Sequence, residues 1–348
     1  MAAELRFAIP GDIESRTGGY IYDKRMMAEL RRAGWNVEHL VWPGSFPFPD
    51  FDDLAAVAES LDACPDNALV LIDGLALGAM PEIAEIYAER LRLVALVHHP
   101  LALETGLSEE AQEQLRHSEY RALATVRAVI CNSKITAATL VTDYGVPIEK
   151  ITIAEPGVDS PIDRTPRPPN EIPHILAVGS ITPRKGYEIL IEALALIADL
   201  PWICTIAGSL DRAPETTAAL RKQIAIHRLE DRVILVGEVA DPGRFYRQAD
   251  IFALRSQYEG YGMAFAEAMQ YGLPVIGCRA GAIPDLVPPS AGILVGTADI
   301  VAFGDALRIL VNDKSLRMRL SAGALEAAAS LPQWEKSAAK ISAALKLL

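Results

Sequence analysis

The sequence predicts an α/β protein made of two Rossmann-like domains of similar size. Short apolar runs alternate with longer helical patterns along the chain, the order that builds a parallel sheet with helices on both faces. The runs VLI before Asp73 and VALV before His98 lack apolar/polar alternation, as strands covered on both sides do. Mid-chain, Asp159–Pro173 (DSPIDRTPRPPNEIP) holds five prolines and little apolar content, and the alternation restarts beyond it. Such a segment reads as a stiff linker.

In order, the first half offers strands at Leu5–Ile9, Val37–Val41, Ala68–Asp73, Leu93–His98, Ala128–Cys131 and Ile151–Ala154. Helical patterns fall at Tyr20–Ala33 and Glu109–Thr125. The second half offers strands at Ile175–Val178, Ile203–Ala207, Val233–Val236, Ile251–Leu254, Pro274–Gly277 and Ile293–Val295. Its helices are expected at Gly186–Ala198, Thr216–Ile226, Ala264–Tyr271 and Ile300–Val311, with a last amphipathic helix in Trp334–Leu348. The expected domains are 1–160 and 161–331, followed by a closing helical segment, 332–348.

Composition narrows the function. The 348 residues carry 45 acidic and 33 Lys or Arg side chains, a net charge of −12. That excludes a nucleic-acid binder working by broad phosphate neutralisation, and leaves room for a local basic site for a small anion. Cys64, Cys131, Cys204 and Cys278 are far apart and form no CxxC or Cys/His cluster, so no zinc site is expected. No signal peptide and no membrane-spanning run is visible. A soluble, cytoplasmic protein is expected, with a peripheral place at the inner membrane face left open.

The most specific segment is Arg255–Pro274, RSQYEGYGMAFAEAMQYGLP. A strand ends near Arg255, Glu259 and two glycines follow, and a helix begins near Met263. The amides of Gly262, Met263 and Ala264 would form the positive end of that helix, an anion site. Glu267 lies about 7 Å further along the axis, at 1.5 Å per residue. There it could accept from ribose hydroxyls while the amides hold a diphosphate, and Glu259 could reach the sugar beyond. Lys185 is expected to open the helix at Gly186, where a cation is locally unfavourable unless an anion binds. His98, followed by His99, stands at the carboxyl edge of its strand. Thr17-Gly18-Gly19-Tyr20 is neither GxGxxG nor a P-loop, but its backbone could approach a phosphate or sugar.

These segments resemble the retaining glycosyltransferases of family 4, glycosyl transferase group 1. EGYGMAFAEAMQYGLPVI resembles the family's E-x7-E donor motif, with Glu259 and Glu267 at its acidic positions. AVGSITPRKGYEILIEAL looks like its diphosphate-binding strand, loop and helix. TIAGSL, VILVGEV, ADIFALRS and AGAIPDLV follow in order; RAVICNSKITAATLVTDYGVP and ITIAEPGVD are similar to first-half segments. The resemblance is strong from Ala177 to Val287 and loose before His98. It implies the GT-B fold, two Rossmann-like domains facing across a cleft. The first would take the acceptor and the second the nucleotide-sugar, and the closing helix would cross back to the first domain. There are departures. Ser180 stands where the family has the arginine of VGR, so Arg184 is expected to supply the second cation beside Lys185. Arg255 and Asp285 stand where proline and glutamate are common.

The resemblance further implies a bacterial, metal-independent transferase of the hexosyltransferase type (EC 2.4), acting in glycan biosynthesis and needing no cofactor beyond a nucleoside-diphosphate sugar, with UDP or GDP expected. His98, Lys185 and Glu259 would be catalytic. Gly19, Arg184, Lys185, Val239, Glu259, Gly262, Met263, Ala264 and Glu267 would bind the donor, with Val239 near the base. Attack would come from the same face, and closure about Pro156–Pro173 would exclude water. The acceptor would be a glycan, a lipid-linked sugar or a small molecule. The alternatives are an epimerase or phosphorylase of the same fold, or a binding protein with a vestigial donor site, which the lost arginine at Ser180 favours. Asp50-Phe51-Asp52 reads as part of a Pro-rich loop rather than a metal motif. Lys24, Arg25, Arg31 and Arg32 on the first helix read as a solvated face shared with Asp23 and Glu29, or as a weak contact with a lipid acceptor or membrane.

Overall fold

A computed structural model of the chain describes residues 3–159 and 170–348. The expected linker Asp159–Pro173, with the hinge placed around it, falls mostly on 160–169, outside the described residues. The chain divides into two compact units, one comprising Met1–Gly157 with Pro332–Leu348 and the other Val158–Leu331.

The first unit runs β1 (Glu4–Pro10), α1 (Gly18–Arg32), β2 (Asn36–Trp42), α2 (Phe51–Asp62), β3 (Leu69–Asp73), α3 (Gly74–Leu77) and α4 (Pro81–Tyr87). It continues through β4 (Arg92–Val97), α5 (Glu109–Thr125), β5 (Ala128–Cys131), α6 (Lys134–Thr142) and β6 (Ile151–Ile153). The six strands lie in the order β2-β1-β3-β4-β5-β6, and every pairing is parallel. Val70, Leu71, Ile72, Val94, Ala95 and Leu96 have no exposed surface, because helices cover both faces of β3 and β4.

The second unit runs β7 (His174–Val178), α7 (Tyr187–Ala195), β8 (Ile203–Ala207), α8 (Pro214–Ile226), β9 (Val233–Gly237), α9 (Gly243–Gln248) and β10 (Ile251–Ala253). Then come α10 (Met263–Gln270), β11 (Val275–Cys278), α11 (Ile283–Leu286), β12 (Gly292–Val295), α12 (Ile300–Asn312) and α13 (Lys314–Ala329). The strand order β12-β11-β10-β7-β8-β9 reverses direction between β7 and β10. In the first unit the reversal falls between β1 and β3. Open parallel sheets bind ligands outside the carboxyl ends of strands at such a switch point. The last helix, α14 (Trp334–Leu345), packs in the first unit against α1 and β6. Its Ser337 hydroxyl donates to the Glu155 carbonyl, and Trp334 meets the Tyr22 ring edge-on.

Three local readings of the sequence are corrected. Asp50-Phe51-Asp52 starts a helix: Asp50 and Asp53 form a reciprocal capping box on α2, which satisfies two amides that a helix start leaves unpaired. Asp23 and Glu29 are no solvated face, being 0% and 4% exposed. The cations around them are engaged: Lys24 pairs with Glu14, Arg25 lies over the Trp334 ring, Arg31 donates to the Val37 carbonyl and Arg32 pairs with Glu29. Finally, Lys185 does not open a helix. It ends a 3-10 turn, Pro183–Lys185, and α7 starts only after Gly186, whose φ of +60° suits glycine. All four cysteines are buried and free. Among the described residues no helix is long and apolar enough to cross a membrane.

Candidate active site

In the second unit the loops after β7 and β10, on either side of the switch point, meet. Gln257 donates its amide to the Arg184 carbonyl, and the Arg184 guanidinium donates to the Tyr258 carbonyl at 2.9 Å. These backbone ties bring three charges together. Lys185 Nζ donates to Glu259 Oε1 at 2.6 Å, and Arg184 Nη1 lies 3.7 Å from Glu259 Oε2. The Ser256 hydroxyl completes the set by donating to the same carboxylate. Burial alone would raise the Glu259 pKa; Lys185 and Arg184 outweigh it and hold the carboxyl below its usual range. Two cations thus face one ionised carboxylate.

Glu259 lies in the same loop as the start of α10. Gly262 caps this helix at φ +98°, with no side chain satisfying its first amides. A helix start leaves its first amides, here those of Met263 and Ala264, without intrahelical partners, with the helix dipole behind them. One turn on, Glu267 is half-buried, and Tyr246 donates to its Oε2 at 2.8 Å. Burial pushes its carboxyl up, against the Tyr246 hydrogen bond. Tyr246 is 1% exposed and stacks on Tyr271, so the carboxylate is held by a rigid neighbour. Val239 lies just past β9, half-buried against the core of this unit. Beside it, Gly237, Glu238, Leu210, Asp211 and Arg221 help line a cavity of about 250 Å³. Ser180 sits half-buried after Gly179. The buried Arg255 does not join the charge cluster but donates to the Thr297 carbonyl.

His98 belongs to the first unit, one residue past β4. Its Nε2 lies 3.0 Å from Asp23 Oδ1 and 3.5 Å from Asp73 Oδ2. Asp73 ends β3 and Asp23 sits on the buried face of α1. Burial alone would lower the imidazole pKa; the two carboxylates outweigh it and lift it to about 10. Asp23 is pushed up by its burial despite His98. Gly19 lies in the first turn of α1 and admits the ring: a Cβ there would stand 3.3 Å from His98 Cδ2. His99 turns elsewhere, its Nε2 3.3 Å from Glu104. Asp23, Asp73 and His98 also place three ligand-type atoms within 4.8 Å of one another. The 3.0 Å contact with Asp23 is that of a hydrogen bond, and Asp73 lies at ion-pair distance. Sequence reasoning missed both aspartates. The available signal was an acidic side chain on the apolar stripe of α1 and another ending the strand beside β4.

Two doubly wound parallel sheets, each with polar clusters at its switch point, define the GT-B class of fold. Sucrose-phosphate synthase from Thermosynechococcus elongatus superposes with a TM-score of 0.82 at 22% identity, over 99% of this chain and 98% of that one. Anabaena Alr3699/HepE, solved with UDP and glucose, gives 0.79 at 21%, over 99% of this chain and all of that one. The family model "Glycosyl transferases group 1" matches residues 160–327, and "Glycosyltransferase Family 4" matches residues 71–160. The chain belongs to this family of glycosyltransferases. A D-inositol 3-phosphate glycosyltransferase of Xylanimonas cellulosilytica is 30% identical over 244 residues, 64% of this chain. The match spans 57% of that relative's length.

Proposed function

We propose that the chain moves a sugar from a nucleoside-diphosphate sugar to an acceptor hydroxyl, with retention at the anomeric carbon and without a metal ion. The observation that carries this is the Lys185–Glu259–Arg184 cluster beside the uncapped start of α10. A diphosphate would pair with the two cations and accept from the N–H donors. Negative charge grows on the leaving phosphate as the glycosidic bond breaks, so fixed cations and amides favour the transition state over the ground state. Lys185 and Arg184 would take the role that a metal plays elsewhere, as point charge and fork. Glu267, held by Tyr246, would accept from the ribose, and Glu259 would orient the sugar. Val239 would line the base. In the first unit, His98 would donate to the transferring sugar beside Gly19.

Retention by double displacement would need a carboxylate free to attack. Asp23 and Asp73 are buried and turned to His98, which favours same-face attack with the donor phosphate taking the acceptor proton. UDP is the first nucleotide to test, because HepE is a relative of the same fold solved with it. The names of the D-inositol 3-phosphate glycosyltransferase and the sucrose-phosphate synthase favour a polyol or sugar hydroxyl as acceptor, with a lipid-linked sugar as the further candidate. The experiment is a thermal-shift titration with UDP, GDP and ADP, with and without EDTA, since a ligand of the folded state raises stability by RT ln(1 + [L]/Kd). One nucleotide raising the melting temperature regardless of EDTA is the expected result. No shift with any of them would favour a vestigial site. NMR of the product's anomeric proton tests retention, and an inverted product would refute it.

A further inference from the structure

Arg255 is a buried cation without a counter-ion. It lies just past β10 and is 6% exposed. Its Nη2 donates to the Thr297 carbonyl beyond β12. Its Nε and Nη1 are buried and meet no acceptor among the described residues. The cations that reach Glu259 are Lys185 and Arg184 instead. The Arg255 side chain is pressed against Gly186, where a Cβ would stand 2.7 Å from its Cδ and 2.9 Å from its Nη1. Gly186 is the N-cap of α7, a nine-residue helix whose first amides no cap side chain satisfies. The guanidinium therefore lies at the positive end of a helix. Burying a cation unpaired is costly, and the helix start adds to the cost. Such an arrangement calls for an anion nearby.

We propose that this anion is the donor's diphosphate, and that Arg255 acts on it without touching it, its buried charge adding to the field of Lys185 and Arg184 from behind. This rests on the reading of those two cations as a diphosphate site given above. Two chain connections put the charge there. Gly186 follows Lys185, which donates to Glu259, and Arg255 precedes Ser256, which donates to the same carboxylate. Consecutive Cα atoms are about 3.8 Å apart, which sets Nη1 within about 8 Å of the Lys185 Cα. Salt screens exposed charges over a similar length, about 8 Å, and a buried charge is screened less. The three cations therefore share one region of positive potential. Because the guanidinium is enclosed, its charge is fixed before the ligand arrives and costs no reorganisation. Each phosphate adds negative charge, so the contribution of Arg255 grows from nucleoside to monophosphate to diphosphate.

The test is calorimetric titration of the full chain with UDP, UMP and uridine, or with the guanine set if GDP is the nucleotide that raises the melting temperature. Arg255→Gln keeps an N–H for the Thr297 carbonyl and loses the charge. Its diphosphate Kd should rise about tenfold, its monophosphate Kd less, and its nucleoside Kd not at all. Arg255→Met should behave alike, and Arg255→Lys should keep most of the wild-type preference for the diphosphate. Circular dichroism checks that each variant folds. Without ligand, the Gln and Met variants should melt at or above the wild-type temperature, since an unpaired buried charge is gone. A fall of several degrees in both would mean that the charge is already compensated in the free protein, and would overturn the proposal. Equal losses for all three ligands would also overturn it, because that pattern marks a distorted loop. So would wild-type diphosphate affinity in Arg255→Gln, since the tie to Thr297 would then be the whole role. Wild-type protein that binds UDP and GDP no better than their nucleosides would instead refute the diphosphate site itself.

Discussion

Replacing Glu267 by alanine should cost the protein its grip on the ribose. Tyr246 holds one oxygen of this carboxylate at 2.8 Å, and the other has no partner among the described residues, so it is free to accept. A hydrogen bond to a charged group contributes about 1.5–3 kcal/mol, which corresponds to a roughly 10- to 150-fold rise in Kd. The fold should tolerate the change. The Tyr246 hydroxyl keeps a second acceptor in the Ala264 carbonyl at 3.3 Å, and Tyr246 stays packed between Phe252 and Tyr271. The assay is calorimetric titration with the nucleotide that raises the melting temperature, alongside its 2′-deoxy and 3′-deoxy forms. Wild-type protein should bind one deoxy form more weakly, and Glu267→Ala should bind all three alike. A variant that keeps the wild-type preference for the intact ribose would refute the reasoning, because the missing hydroxyl would then be read by some other residue.

Gly262→Ala should lower stability by about 1–3 kcal/mol, since φ is +98° and the new Cβ would stand 2.5 Å from Ile283 Cδ1; an unchanged melting temperature would contradict this. Glu119 is buried, accepts from the Leu101 amide and has its pKa lifted to about 8 by burial. Its folded pKa lies above its unfolded one, so its contribution is full below about pH 4.5 and lost as pH rises to about 8, a loss on the order of a few kcal/mol. Glu119→Gln should flatten that part of the stability profile, measured by urea unfolding at successive pH values, and an unaltered slope would count against it. Asp50→Ala should cost about 0.5–2 kcal/mol through the lost cap while leaving donor turnover unchanged with or without EDTA; a metal role for Asp50 would appear as lost turnover.

The strands were legible because the sheets are parallel and buried. Most of the twelve strands among the described residues are apolar runs, the edge strand β2 (NVEHLVW) excepted, and each lies within one or two residues of its expected place. Helices whose apolar stripe is weak were not legible. Lys134–Thr142 is rich in β-branched residues that favour strands, and Ser133 caps it by accepting from the Thr136 amide. In Lys314–Ala329 a buried arginine, Arg317, donates to the Leu310 and Val311 carbonyls at the end of the preceding helix. A sequence pattern scores that side chain as surface.

The same distinction divides the site. The local placement of Glu259, Gly262 and Glu267 could be read because a strand, a glycine loop and a helix start follow one another in sequence, whereas Lys185, expected to open a helix, ends a 3-10 turn. Asp23 and Asp73 could not be read that way, because they meet His98 only through strand order. Asp73 pairs in register with Leu96 across β3 and β4, and His98 stands two residues beyond. That adjacency exists only once β3 is known to lie beside β4. Asp23 needs α1 to be laid over the sheet with Tyr22, Met26 and Leu30 facing in. A carboxylate on such a face is expensive to bury without a partner. Asp23 therefore already implied a cation or donor opposite it, and the histidine at the carboxyl edge of β4 was the candidate within reach.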